Sequence, residues 1–350
     1  MNKRIVGIFW YLMLLNLGYT QIHRYSFEHQ QMGTLFRIVM YSPDSLLASQ
    51  AASAAFGRID NLNQSLSDYH PESELNLVSS LSGEDTCISL SQDLEEILRL
   101  SQQMYHYSQG AFDITIGPLV QLWRRAKRRR ELPPADKIEE ARKSVSSSYM
   151  VWDSVGRCLR LTQAQMRLDL GGIAKGYAVD EAMGVLKTYG IHQALVDGGG
   201  DLVLGDPPPD KPGWEVKMEY VDATAQPRDT VLILSNLAIA SSGDAYRNIE
   251  IGGKRYSHIM DPHSGFGLVV QRKVTVVAPQ GVWADAWASA LSILGPSQGF
   301  SQLNKFPEIK GLILELNEEK LEAYISEDFF DLIHSPSSKH SKHGKTIIHK

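Results

Sequence analysis

Helical and strand-like patterns follow one another along this chain in an irregular order. Alternating apolar and polar residues predict paired strands over residues 23–41 and a closing hairpin over residues 310–325. The spacing of apolar residues predicts helices over residues 43–66, 93–108, 174–189 and 284–294. Because the strands and helices mix without the regular alternation of βαβ units, we expect an α+β fold and not a doubly wound parallel sheet.

Helix boundaries and shorter strands complete this prediction. Ser42 or Asp44 is a good N-cap for the first helix, and Gly190 is a suitable C-cap after residues 174–189. Residues 157–170 alternate like strands over their whole length. Shorter strand-like runs occupy residues 194–196, 202–204, 214–221, 230–234 and 273–277.

The start of the chain is typical of an export signal. Lys3 and Arg4 precede an almost wholly apolar stretch, residues 5–17, which is short for a membrane span of roughly 20 residues. Gly18 and Thr20 offer only a weak cleavage site, so a cleaved signal peptide and an uncleaved anchor both stay open. We expect residues 1–20 to direct export, residues 21–334 to form a single domain, and the polar residues 335–350 to be a disordered tail.

Charge argues against nucleic acid or an acidic membrane surface as the partner. The chain carries 35 Lys and Arg against 40 Asp and Glu, a formal net charge of −5. One basic run, residues 124–130, has no interleaved aromatic residues and is followed by Pro133-Pro134, so it is interpreted as the solvated face of a helix. A small soluble ligand or another protein is the more natural partner.

Cysteine usage is sparse, with Cys87 and Cys158 as the two cysteines and no CxxC motif to support a zinc ribbon or a thioredoxin site. The two could pair in an oxidising compartment. Because they lie far apart in sequence, the favoured interpretation is that Cys87 is a small apolar residue in a strand.

Two glycine-rich turns could bring the backbone close to a phosphate. In the first, Asp169-Leu170-Gly171-Gly172-Ile173-Ala174-Lys175, a strand ends and a helix begins, so free N–H groups, the positive end of the helix dipole and the Lys175 charge come together. In the second, Gly198-Gly199-Gly200 lies between two short strands, where the entropic cost of glycine suggests close approach of a ligand. Each turn alone is equally well explained as a simple connection.

Two polar clusters could supply a base and a metal site. His258 and Asp261 lie in one turn-rich loop, which could hold a general base and its orienting partner, and Ser241 upstream offers a further hydroxyl. Asp285 and Ser289 are four residues apart on a predicted helix, so their oxygens share one face and suit Mg²⁺. Alternatively, Ser289 bonds back to the Asp285 carbonyl. Together the four clusters predict a polyanionic ligand, a metal and a base, which points to phosphoryl or nucleotidyl transfer.

Seven motifs, taken in order, resemble the ApbE-type FAD:protein FMN transferase family over residues of about 30–325. Besides the four clusters they include Met32-Gly33-Thr34, Tyr69 with Ser73-Glu74-Leu75, and Gly110-Ala111-Phe112-Asp113-Ile114-Thr115 with Gly117-Pro118-Leu119 and Leu122-Trp123. The resemblance implies an ApbE-like (tunnelling-fold-like) α+β fold of mixed sheets and helices, with two intimately packed halves and a ligand cleft between them. It also implies FAD as the substrate, Mg²⁺ as the cofactor, and a location in the bacterial periplasm or on the periplasmic side of the inner membrane.

The resemblance also assigns roles by position. Asp285, Ser289 and the backbone carbonyl of Ala174 would bind the metal. His258 would accept a proton with Asp261 as the orienting or accessory carboxylate, while a Thr or Ser hydroxyl of an exported or membrane flavoprotein attacks the FMN-side phosphorus of FAD and AMP leaves. The residues that would line the FAD site are Met32, Tyr69, Asp113, Lys175, Asp180, Gly198, Gly199, Ser241, His258 and Asp261.

Some positions depart from the family pattern. Ser289 stands where Thr is usual and keeps the hydroxyl, Ser79 replaces an Asn, and His263 and Ser264 replace an Arg and a Thr, so neutralisation of phosphate charge at His263 would depend on pH. An FAD pyrophosphatase, in which water replaces the acceptor, and a non-catalytic FAD-binding protein stay open as alternatives. No GxGxxG follows a strand, which disfavours a redox flavoenzyme.

Overall fold

The computed structural model describes residues 21–153, 155, 158–221, 227–243, 248–317 and 320–332. The predicted export segment and polar tail lie outside these residues, as does Arg157. In the described part the helices are α1 Ser45–Leu66, α2 Glu74–Ser80, α3 Gln92–Tyr107, α4 Gly117–Arg129, α5 Ala135–Arg142, α6 Ala174–Thr188 and α7 Gly281–Leu303, with short 3₁₀ turns at Ser147–Tyr149 and Phe329–Leu332.

The strands of the described residues are β1 His23–Gln31, β2 Thr34–Ser42, β3 Ile88–Ser89, β4 Met150–Trp152, β5 Cys158–Leu161, β6 Ala194–Gly198, β7 Leu202–Leu204, β8 Trp214–Val221, β9 Pro227–Leu234, β10 Leu237–Gly243, β11 Asn248–Ile251, β12 Lys254–Ser257, β13 Gln271–Ala278, β14 Lys310–Asn317 and β15 Lys320–Ile325. Eight of them form one antiparallel sheet in the order β1-β2-β6-β7-β10-β13-β14-β15. A three-stranded sheet, β3-β5-β4, and the hairpins β8–β9 and β11–β12 complete the fold.

The inner strands of the large sheet bury side chains on both of its faces, whereas the edge strands β1 and β15 are more exposed. Along β2, Ile38 and Met40 point into the main core, which is formed with α1, α3, α6 and α7. Val39 points to the other face, where it meets Trp214 and Leu232 of the β8–β9 hairpin. The alternation follows from the two-residue period of a strand, and complete burial of each such apolar side chain contributes roughly 1.5–3 kcal/mol.

Antiparallel pairing collects the glycine turns at one end of the sheet. The register sets Phe36 of β2 opposite Gly198 of β6, so the β1–β2 turn at Met32-Gly33 lies beside the β6–β7 turn. Leu202 of β7 is opposite Ile239 of β10, so Ser241 extends past that same end. We call this edge the site end of the sheet.

Helices α6 and α7 cross at a pair of glycines. A Cβ added to Gly176 would lie 2.3 Å from the Gly281 carbonyl oxygen, and one added to Gly281 would lie 2.6 Å from the Gly176 carbonyl oxygen. The Asp180 carboxylate of α6 then accepts hydrogen bonds from the first N–H groups of α7, those of Gly281 at 2.7 Å and Val282 at 2.8 Å. Helix α6 therefore contacts the first residue of α7 and also caps the N-terminus of α7.

The long helix α7 is broken at Gly295, which has φ 70° and ψ −176° and precedes Pro296. Arg272 of β13 fills the break by donating to the carbonyl oxygens of Ser292 at 2.9 Å and Ile293 at 3.4 Å, while it also pairs with Glu315. The guanidinium thus satisfies carbonyls that the broken helix leaves open.

The hairpins, the Asp44 cap of α1, the Gly190 end of α6 and the fold class agree with the sequence-based expectation. Two expectations about the fold were wrong, one of them only in part. The strand within residues 158–170 covers Cys158–Leu161, and beyond it the chain makes one isolated parallel bridge, between Arg167 and Ile116, because no strand of the described residues lies alongside the rest of this segment. Cys87 and Cys158 form a disulfide, with Cα atoms 5.4 Å apart, since β3 and β5 pair directly.

None of the helices in the described ranges combines the length and apolar composition that crossing a membrane requires.

Candidate active site

The start of α6 meets the Asp285–Ser289 face of α7. Asp285 is 6% exposed, and its Oδ2 accepts a hydrogen bond from the Gly176 N–H at 3.1 Å. A Cβ added to Gly172 would lie 2.9 Å from Ser289 Oγ, so glycine is needed there for the turn to approach the hydroxyl. The glycine turn therefore contacts Ser289 through Gly172, and Ala174, whose carbonyl is expected to face the metal, begins α6 two residues later.

A buried charge pair adjoins this meeting point. Lys175 Nζ forms an ion pair with the carboxylate of Asp201, whose side chain is only 3% exposed. Burial and the nearby Asp285 charge raise the pKa of Asp201 to about 7. Asp201 follows the Gly198-Gly199-Gly200 turn, so this turn delivers a carboxylate to the site besides its backbone.

The donors at this point fit a hard cation. They are the carboxylates of Asp285 and Asp201, the Ser289 hydroxyl and backbone carbonyls, all of them oxygens, the ligand type that Mg²⁺ takes. Among the described residues, no group of three or more His, Cys, Asp or Glu side chains gathers as a metal site. A metal here would rely on mixed oxygen ligands.

The site end of the sheet forms a floor beside these helices. A Cβ added to Gly199, which has φ 74°, would lie 2.1 Å from Thr34 Oγ1, so the β6–β7 turn packs against the residue that follows Met32-Gly33. Met32 itself has φ 50° and is half-buried. Further along the same end, Ser241 Oγ lies 3.1 Å from Thr275 Oγ1.

Arg124, a member of the basic run, turns into the site. Its Nη2 lies 2.6 Å from Asp68 Oδ2 and 3.5 Å from Asp169 Oδ2, and its Cζ lies 4.2 Å from the ring centroid of Tyr69. Burial, together with the Asp68 charge, raises the pKa of Asp169 to about 6. Tyr69 is thus joined to Asp169 through Arg124, and the interpretation of residues 124–130 as a wholly solvated face was wrong for this residue.

Two of the predicted FAD residues have their carboxylates engaged within the protein. Asp113 is buried and accepts hydrogen bonds from the N–H and hydroxyl groups of Thr115 and Ser147, and burial raises its pKa. Asp180 caps α7, and burial raises its pKa to about 6. These hydrogen bonds hold the Gly110–Asp113 segment and α7 in place.

The loop with His258 and Asp261 is docked on α4 and α5. Asp261 accepts hydrogen bonds from the backbone N–H groups of His263 at 2.9 Å and Ser264 at 3.2 Å, so its carboxylate orders the loop. Trp123 Nε1 donates to the Gly265 carbonyl at 2.9 Å. His258 itself is exposed.

The Gly110–Asp113 segment lies between this loop and the glycine turn that contacts Ser289. A Cβ added to Gly110 would lie 3.3 Å from His263 Cε1, and one added to Gly172 would lie 3.2 Å from Phe112 Cε2. The loop and the glycine turn therefore contact the two ends of one short segment.

Two residues of the site were missed from the sequence, Asp201 and Arg124. Asp201 stands directly after three glycines, and a charged residue in that position was the available signal. Arg124 carried no signal, because its neighbours on α4, Arg125 and Arg128, are exposed and look the same in sequence.

The model of the ApbE family matches residues 32–313 of this chain. The chain belongs to the ApbE family. Similar proteins named FAD:protein FMN transferase come from Chlamydia pneumoniae, 31% identical over 294 residues that cover 81% of this chain and 89% of that protein, and from Klebsiella pneumoniae (strain 342), 28% identical over 297 residues that cover 84% and 90%. The apo crystal structure of Pseudomonas stutzeri flavinyl transferase ApbE matches with a TM-score of 0.79 at 26% identity, covering 90% of this chain and 98% of that one. The expected family and fold class are confirmed, and the ApbE-family chain is an enzyme of the transferase class.

Proposed function

We propose that this ApbE-family transferase moves FMN from FAD to a Thr or Ser hydroxyl of an acceptor flavoprotein and releases AMP. The observation that carries the proposal is the meeting of the α6 N-terminus and Lys175 with the Asp285–Ser289 face of α7. The relatives named FAD:protein FMN transferase support flavin transfer as the reaction.

The pyrophosphate of FAD binds at the glycine turn. A helix N-terminus directs N–H groups and positive potential at an anion, and glycines let the backbone come close to it. Lys175 adds a positive charge whose direction is fixed by Asp201. The remaining predicted FAD contacts, among them Met32, Gly198, Gly199 and Ser241, lie at the site end of the sheet.

Asp285, Ser289 and the backbone carbonyl of Ala174 would hold Mg²⁺. When bound, the ion neutralises phosphate charge and stabilises the charge that develops as the pyrophosphate breaks. Asp201, whose carboxylate lies near that of Asp285, belongs to the same set of oxygens.

In the transfer step the acceptor hydroxyl oxygen forms a bond to the FMN-side phosphorus, and the phosphorus–oxygen bond to AMP breaks. The electron pair of that bond leaves with AMP. His258 accepts the hydroxyl proton, and Asp261 keeps the His258 loop ordered through its backbone hydrogen bonds. FMN stays on the acceptor as a phosphoester.

The first test is an in-gel assay with the purified chain, FAD, Mg²⁺ and a candidate flavoprotein acceptor. We expect flavin fluorescence on the denatured acceptor band and none when EDTA is added. A non-fluorescent acceptor band together with free FMN and AMP would show that the protein is an FAD pyrophosphatase and not a transferase. A non-fluorescent acceptor band with intact FAD would show that the protein binds FAD without catalysing its conversion.

Two variants test the assigned residues. His258→Ala should abolish transfer and keep FAD binding, with the exposed His23→Ala as the matched control. Equal loss of binding and transfer would refute the base assignment. Asp285→Ala should remove the response of activity to Mg²⁺, and an unchanged Mg²⁺ titration would refute the metal assignment.

Export, either to the periplasm or to the periplasmic face of the inner membrane, is part of the proposal, and so is an exported or membrane-bound acceptor. The apolar segment of residues 5–17 supports it, as does the Cys87–Cys158 disulfide, because structural disulfides persist in oxidising compartments. Thiol labelling of the protein in intact cells should find both cysteines blocked. Free thiols together with a cytoplasmic fraction would refute export.

A further inference from the structure

Arg124 differs from the rest of the basic run in where its charge lies. Trp123 and Ala126 on the same helix are buried, and the Arg124 side chain is 32% exposed. Its guanidinium faces the carboxylates of Asp68, 17% exposed, and Asp169, 13% exposed. A planar guanidinium between two sheltered carboxylates is held in orientation more firmly than a surface pair would be.

The same guanidinium packs against one face of the Tyr69 ring, with Cζ 4.2 Å from the centroid. Tyr69 is nevertheless 74% exposed, which is unusual for an aromatic side chain. A ring has two faces, so the face opposite Arg124 is open to solvent. Such a ring, backed by a cation, is a stacking surface for another flat ring system.

Arg124 also connects this surface to the glycine turn. Asp169, which Arg124 contacts, accepts a hydrogen bond from the Gly171 N–H at 2.9 Å. Arg124 therefore links Tyr69, through Asp169, to the turn at which a phosphate would bind.

We propose that Arg124 is a positioning residue for FAD, which holds Tyr69 as a platform for one ring system of the dinucleotide at a fixed distance from the glycine turn. The proposal rests on the proposed function, because it takes FAD as the ligand. Arg124 acts through Tyr69 and Asp169 and does not itself touch the reacting atoms.

The test is a double-mutant cycle on FAD binding and turnover. Arg124→Ala and Tyr69→Ala should each raise the Kd and KM for FAD about tenfold and leave kcat within about twofold, as loss of a stacking contact of about 1.4 kcal/mol requires. The double variant should bind FAD about as well as either single variant, since both changes remove one platform. Arg128→Ala, on the exposed side of the same helix, should behave as wild type.

The same measurements in the Asp68→Asn protein distinguish the proposed role of Arg124 from a folding defect. Removing Arg124 leaves Asp68 and Asp169 close together without their cation, so the cycle is repeated in an Asp68→Asn protein, which relieves that repulsion. The outcome is read from the melting temperature and from the Kd for FAD in both backgrounds.

Unchanged Kd in Arg124→Ala, multiplicative losses in the double variant, or a loss confined to kcat would each overturn the proposal. A Kd restored by Asp68→Asn in the absence of Arg124 would overturn it as well, since charge balance alone would then explain the residue. FAD binding is measured separately from transfer, so a wild-type protein that binds FAD without transferring FMN refutes the proposed function while the cycle still decides the role of Arg124.

Discussion

The crossing of α6 and α7 makes a sharp prediction for Gly176→Ala. The added Cβ would lie 2.3 Å from the Gly281 carbonyl oxygen and 2.8 Å from Asp285 Cβ. Ordinary contact requires the carbonyl to retreat by about 1 Å, and α7 must shift with it because the contact is backbone against backbone.

Two costs follow from that shift. Overpacking of this kind lowers the free energy of unfolding by about 1–3 kcal/mol. The displaced helix carries Asp285 and Ser289, and a misplacement of about 1 Å in a catalytic group lowers the rate by about 100-fold. We therefore expect a modest loss of stability and a much larger loss of Mg²⁺-dependent transfer.

Gly184→Ala on the same helix is the matched control. Gly184 is exposed and has no neighbour within 4 Å of an added Cβ, so alanine should raise the free energy of unfolding by up to about 1 kcal/mol through helix propensity. Urea unfolding and the in-gel transfer assay measure both variants. Wild-type stability and transfer in Gly176→Ala would refute the tight crossing.

Three further predictions concern stability and charge. The pKa of Asp180 is about 6 in the folded protein against an ordinary 3.8, so the folded state holds the proton more tightly than the unfolded state. The free energy of unfolding should therefore fall by about 2–3 kcal/mol as pH rises from about 4 to about 6. Urea titrations at several pH values should show a shallower pH dependence for Asp180→Asn than for wild type, and an identical dependence would contradict the assignment. Reduction of the Cys87–Cys158 disulfide, which spans 71 residues, should lower the free energy of unfolding by about 2–4 kcal/mol. The variant with both cysteines changed to Ser should be insensitive to reductant, whereas equal unfolding curves of the wild type with and without reductant would contradict this prediction. Asp201→Asn should raise the KM for FAD by releasing Lys175, and Asp201→Glu should recover part of the loss; a variant with wild-type KM would show that the ion pair does not orient Lys175.

Local signals in the sequence predicted much of this fold because they act over a few residues. Asp44 caps α1 through Leu46 N–H, and Gly190, with φ 74°, ends α6, both as expected from short-range chemistry. The strand prediction for residues 157–170 is confirmed for Cys158–Leu161, which pairs with β3 and β4, and was wrong beyond Leu161, because alternation alone cannot show whether a partner strand exists. The pairing of Cys87 with Cys158 depends on β3 meeting β5, a contact between distant segments that spacing does not reveal.

The residues of the candidate site likewise include some that local sequence patterns predict and others that depend on contacts between distant segments. The face shared by Asp285 and Ser289 follows from the 3.6-residue period of a helix, so it could be predicted. The engagement of Asp180 with α7 could not, because its partners lie about 100 residues away in the chain, a distance that no local pattern bridges. Arg124 is distinguished from its exposed neighbours only by two carboxylates and a tyrosine from other elements.

The crossing of α6 and α7 also balances the charges at the starts of both helices. Two helix N-termini lie side by side where Gly176 meets Gly281, and each would attract negative charge. Each already holds a carboxylate of the other helix: Asp180 accepts hydrogen bonds from the Gly281 and Val282 N–H groups of α7, and Asp285 accepts one from the Gly176 N–H of α6. The two helices thus exchange carboxylates across their crossing, and Asp285, which the proposed function assigns to the metal, is held at the start of α6 by this exchange.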